Sequence, residues 1–198
     1  RVRSSAASDV YKRQVQEGAT LNGSLEIAVG TGSTLSLTAA DAAQVEAITR
    51  TGTGKVTVTA LHSTLDADLA HIAAPITILL SADATLTAGA AIGAVNLTVD
   101  KTGDGPYTLD VTALEADFGL TSAQTLTVKA GTTLELTAAQ ADGKTITAED
   151  GQVVITDLHL TLDADLTGIT ATGTGSVSAI FDGTGTFIGD LGLSLIHI

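Results

Sequence analysis

Apolar and polar residues alternate along most of the chain in short runs. LSLT from Leu35, KVTVTA from Lys55, ITILL from Ile76, NLTV from Asn96, TLTVKA from Thr125 and TLELTA from Thr133 set Leu, Val or Ile at every second position. That period belongs to a strand with one face buried. Thr fills many of the positions between, where a β-branched but polar side chain suits an exposed strand face. Gly, Asp, Asn and Ser separate the runs, so tight turns are expected there. Ala39 to Ile48 and Leu65 to Ile72 are richer in Ala and are read as one or two helical turns, too short to be stable helices alone.

The runs repeat. LDADL at Leu65–Leu69 returns at Leu162–Leu166, with LEADF at Leu114–Phe118 between them, at spacings of 49 and 48 residues. A second signature keeps the same phase: Ile27-x-Val29 before Leu35-x-Leu37, Ile78-x-Leu80 before Leu86, Leu126-x-Val128 before Leu134-x-Leu136, and Ala179-x-Phe181 before Phe187. The unit is about 50 residues long, with copies at 32–81, 82–130 and 131–183 and partial copies at each end. It is too small for an immunoglobulin-like sandwich of about 100 residues, and it fits two solenoid coils of about 25 residues each. The expected fold is all-β: a parallel β-helix-like β-solenoid with aliphatic ladders inside. About seven coils, stacked at about 4.8 Å, give a rod on the order of 34 Å long. Antiparallel β-sandwich repeats are the alternative.

Both ends read differently. Ser4–Gln14 (SSAASDVYKRQ) and Leu193–Ile198 (LSLIHI) resemble translations of a transposon-type sequencing adapter, one in each orientation. Residues 1–14 are therefore set apart as adapter-derived and expected to lack order, 193–198 as an adapter-derived tail, and 15–192 is read as one repeat array, a fragment open at both ends. The whole chain carries nine basic and 22 acidic residues, a net charge of −13. Setting aside Arg1, Arg3, Lys12, Arg13 and Asp9 leaves five bases and 21 acids, a net charge of −16. Such a surface repels phosphate backbones, so nucleic acid is not an expected partner. The absence of Cys excludes disulfides, thiolate metal sites and thiol catalysis. The longest apolar stretch, Ile72 to Leu80, is short and contains Pro75, so no helix in this fragment is expected to span a membrane.

Chemistry is sparse. Asp66 with Asp68, Glu115 with Asp117, and Asp163 with Asp165 are acids two apart at equivalent repeat positions. Each pair is a candidate calcium ligand set, because calcium takes several oxygen ligands; the plain reading is a recurring solvated turn. Asp100 and Asp104, in DKTGDG, imitate the start of an EF-hand loop, but Val111 stands where its final Glu is needed. His62 and His159 share a repeat position, which speaks for packing or a turn; His71 is the third His of the array. Arg50, Lys55, Lys101, Lys129 and Lys144 do not sit beside a distinctive acidic cluster in sequence, so no lyase-like acid–base set is read, and no catalytic residue is assigned. Asn22 and Asn96 begin sequons that matter only in a glycosylating host. Regular Thr ladders on a flat solenoid face can match an ice lattice. The Thr-x-Thr pairs, such as Thr57/Thr59, Thr125/Thr127 and Thr145/Thr147, are unevenly spaced and read as ordinary strand propensity.

The tracts LTAADAAQ, LTAAQADG and LDADLTGIT resemble the repeat regions of very large secreted or surface proteins of Gram-negative bacteria, of adhesin-like and surface-layer-like type. The resemblance covers most of 15–192. It implies an extracellular or cell-surface stalk or lattice segment without catalytic activity, often stabilised by calcium. Its implied partners are neighbouring repeats of the same longer chain, with surface carbohydrate or protein as further candidates. The alternative is a carbohydrate-binding or carbohydrate-active β-helix whose active loops lie outside the fragment.

Overall fold

A computed structural model describes residues 12–14, 26–61, 68–86, 91–92, 96–114, 124–159 and 164–181. Along the chain come β1 (Lys12–Gln14), β2 (Glu26–Val29), β3 (Thr34–Thr38), the one-turn helix α1 (Ala39–Ala42), β4 (Ala47–Arg50) and β5 (Lys55–Thr59). Then follow β6 (Asp68–Leu69), β7 (Ile76–Leu80), β8 (Ala84–Thr85), β9 (Ala91–Ile92), β10 (Leu97–Lys101) and β11 (Tyr107–Asp110). The last group is β12 (Thr125–Val128), β13 (Thr132–Thr137), α2 (Ala138–Ala141), β14 (Thr145–Glu149), β15 (Gln152–Leu158), β16 (Ile169–Thr172) and β17 (Ser176–Phe181).

Every strand pairing among the described residues is parallel. One sheet has eight strands in the order β1-β3-β5-β7-β10-β12-β14-β16, and a second has five in the order β17-β15-β13-β11-β8. The short pairs β2–β4 and β6–β9 and a bridge between Ile48 and Ile72 join the segments that lead back to the large sheet. The chain is a β-solenoid of about six turns. The antiparallel sandwich is excluded, because each strand meets its partner only after a full coil and never through a hairpin. Lys12–Gln14, in the segment set apart as adapter-derived, pair by backbone with Thr34–Ser36 at the edge of the large sheet. Helix formation is narrower than the Ala content suggested. Ala39–Ala42 make one turn, but Asp68–Leu69 form strand, where backbone pairing with the next coil outweighs local preference.

The interior is aliphatic and ranked. Leu35, Val56, Ile76, Leu97, Leu126, Ile146 and Ile169 stand in one register line of the large sheet and are all buried. Leu109, Leu134 and Val153 form the facing line of the second sheet, each fully buried. Burying a side chain of this size contributes roughly 1.5–3 kcal/mol, so these ladders are the main favourable term. Gln140 and Thr132 are the buried polar residues among the described ones.

Corners between sheets are tight turns. Ser33 N–H donates to Gly30 C=O at 3.0 Å, Gly54 N–H to Thr51 C=O at 3.3 Å, and Gly175 N–H to Thr172 C=O at 3.0 Å. At Gly54 a Cβ would stand 2.5 Å from the Val29 carbonyl oxygen of the coil below, so only glycine lets the corners stack. Sequence-equivalent strands do not keep to one sheet: β3 and β13 carry matching tracts, yet β3 lies in the large sheet and β13 in the second. The shift arises between β5 and β7. There β7 stacks directly on β5 in the same sheet.

Candidate functional site

Among the described residues, the acidic candidates Asp68, Asp100, Asp104 and Asp165 do not gather into a metal site. Asp66, Glu115, Asp117 and Asp163 lie outside the described residues, as does His62. Asp68 lies in β6, its backbone register partner being Ala91. Asp100 lies in β10, Asp104 in the corner between β10 and β11, and Asp165 on the return segment ahead of β16. Among the described residues no group of three His, Asp or Glu is placed to hold a metal ion.

Several described acids instead hold backbone, often that of the next coil. Asp83 Oδ1 accepts from Thr108 N–H at 2.7 Å, Asp142 Oδ1 from Asp165 N–H at 2.7 Å, and Asp150 Oδ1 from Thr174 N–H at 2.7 Å and Thr174 Oγ1 at 3.0 Å. Asp165 Oδ1 accepts from Thr167 Oγ1 at 2.6 Å and Thr167 N–H at 3.0 Å; Asp100 Oδ1 accepts from Lys101 N–H at 2.8 Å. The two Asp–Thr sets matter electrostatically. The Thr174 backbone N–H, then its hydroxyl, hold the Asp150 carboxyl below its ordinary value, with a smaller contribution from Lys129. The Thr167 hydroxyl, then its N–H, do the same for Asp165. Asn96 follows the pattern in neutral form, its Oδ1 accepting from Thr125 N–H at 3.1 Å.

Basic residues are similarly engaged. Arg50 Nη1 donates to Gly52 C=O at 3.1 Å, and Lys101 Nζ to Gly105 C=O at 2.9 Å and Gly103 C=O at 3.3 Å. Lys129 pairs with Glu149 at 2.8 Å. His71 Nε2 lies 2.8 Å from Ala42 C=O, and His159 is exposed. A shallow cavity of about 330 Å³ is lined by Ile27, Val29, Ser33 and Leu35, at β2 and β3.

The feature that sequence spacing concealed lies on the outer face of the large sheet. The register puts Ser36 beside Thr57, Thr57 beside Thr77, and Thr77 beside Thr98. It continues from Thr98 to Thr127, Thr147 and Thr170. A hydroxyl thus occupies the same outward position in seven successive strands, and Thr147 and Thr170 hydroxyls are 3.5 Å apart. Coil lengths along this line vary from 20 residues (Val56 to Ile76) to 29 (Leu97 to Leu126), so the loops absorb the unevenness that made the Thr pairs look irregular. Chemically the rank is a neutral strip of hydroxyl and methyl groups along the axis. Comparison of the chain with protein-family models, curated proteins and solved structures finds no match.

Proposed function

We propose that this chain is a structural rod segment of an extracellular or cell-surface bacterial repeat protein, working by spacing and display and not by catalysis. The observation that supports the reading is the use to which polar residues are put. Asp83, Asn96, Asp142 and Asp150 each tie one coil to the next by a side-chain to backbone hydrogen bond. The interior of the described coils is a continuous aliphatic stack. In such quasi-one-dimensional folds stability is a sum over neighbouring coils. Single-molecule pulling on the full chain tests this. The expected record is stepwise, each coil of 20 to 29 residues releasing about 70–100 Å of contour length at about 3.5 Å per residue. One low-force event without steps, or tight capture of a glycan by the chain, contradicts it.

The hydroxyl rank favours a second reading, contact with an ice surface. Uncharged hydroxyls repeat at about 4.8 Å along the axis, the strand spacing. The second sheet lacks such a rank: Asp110, Glu135, Val154 and Ser178 stand in line on its outer face. Ice recrystallisation assays of the chain decide it. Inhibition that is lost in Thr98→Tyr but retained in Thr133→Tyr supports the reading, and no inhibition by the unaltered chain ends it.

A further inference from the structure

We propose that the joint between the coil of 142–158 and the coil of 164–181 is acid-labile, so that protonation releases the last described coil before the rest of the stack opens. Two carboxylates fasten this joint at separate places. Asp142 Oδ1 receives the Asp165 N–H, and Asp150 Oδ1 receives both the N–H and the hydroxyl of Thr174. Asp165 then fixes its own turn through Thr167.

Joints nearer the start of the chain are fastened largely by groups that do not titrate. Gly32 N–H donates to Thr53 Oγ1 at 3.1 Å, Thr31 Oγ1 to Thr51 C=O at 3.3 Å, and Thr125 N–H to Asn96 Oδ1 at 3.1 Å. Among the described residues the Asp83–Thr108 bond is the carboxylate exception, and it involves strand β11, which is paired on both sides. The last coil also has less apolar burial to hold it. Val177 and Ala179 are only partly buried, and Ile180 and Phe181 are 54% and 41% exposed.

The charged groups around the latches are Lys129, which faces Asp150 and pairs with Glu149, and Lys144, whose carbonyl lies against Gly168. The sign follows from the hydrogen bonds to Asp150 and Asp165. Their carboxyls are held below the ordinary value, so the stabilisation is complete at neutral pH and is lost as pH falls through the folded-state value. A protonated carboxyl accepts more weakly than a carboxylate, and the charge-assisted part of each bond disappears.

Hydrogen exchange on the full chain between about pH 5 and pH 2, corrected for intrinsic rates, tests the joint. As pH falls, amides of 166–177 are expected to lose protection before those of Leu126–Leu136 do. In Asp142→Asn with Asp150→Asn, the amide side chains still accept the same bonds, and Asn tolerates the positive φ of 60° at Asp150. In that variant the pH dependence of the difference between the two regions should shrink to the part that Asp165 and Thr167 contribute. Uniform loss of protection along the stack in the unaltered chain overturns the proposal. So does an unchanged pH dependence in the double variant.

Discussion

At Gln140 one amide serves three backbone groups. Its Nε2 donates to Val111 C=O at 2.7 Å and Leu114 C=O at 2.9 Å on the neighbouring coil, and its Oε1 accepts from Thr137 N–H at 2.8 Å. The side chain is 1% exposed, so water cannot replace any of these bonds. Gln140→Ala is expected to cost about 3 kcal/mol in a urea titration, because two buried carbonyls lose their donor. Gln140→Glu should be worse at neutral pH than in mild acid, since a carboxylate facing two carbonyl oxygens is repelled until it takes up a proton. A cost under about 0.5 kcal/mol for Gln140→Ala, the size of an ordinary surface change, would contradict this account. Half of the role is legible in the sequence. Thr137-x-x-Gln140 is the pattern of a capping box, which the structure contains. The reach to Val111 and Leu114 is not legible, because it exists only once coils are stacked.

At the level of elements, the corners set the stacking distance. Gly54 and Gly143 separate two effects of glycine. At Gly143 φ is +62° and a Cβ would meet nothing within 4 Å, whereas at Gly54 it would meet the backbone oxygen of Val29 at 2.5 Å. Gly143→Ala should therefore cost only the left-handed backbone term, about 1–2 kcal/mol. Gly54→Ala should cost more, because two coils must move apart, and thermal unfolding of the two variants side by side checks the order. Equal losses would mean that the corner is not close-packed. Strand existence was readable from alternation, since the inward positions of KVTVT and TLELT are the buried ones. The assignment of strands to sheets was not. β3 and β13 share a tract but occupy different sheets, because a strand with one apolar face pairs equally well wherever the coil beneath offers a matching face. Spacing marks a carboxylate, but whether Asp150 meets a cation or the N–H of Thr174 depends on the coil above it.

For the whole molecule, the decisive property is register across coils of unequal length. The turn from Leu97 to Leu126 spans 29 residues and its neighbours 21 and 20, yet the aliphatic rank inside and the hydroxyl rank outside both stay in line. The rod, its acid-labile joint and its neutral outer strip all depend on that alignment. Because the chain contains no Cys, paired cysteines can report on it directly. The most irregular turn is the sharpest place to look. Thr98→Cys combined with Thr127→Cys puts two thiols at register partners, where strand spacing of about 4.8 Å is within disulfide reach. Thr98→Cys combined with Thr125→Cys shifts one of them by two residues along the strand, to about 8 Å, beyond that reach. Mild oxidation should close the first pair rapidly within the monomer and leave the second open. Closure of the second pair in preference to the first would contradict the register and with it the solenoid account.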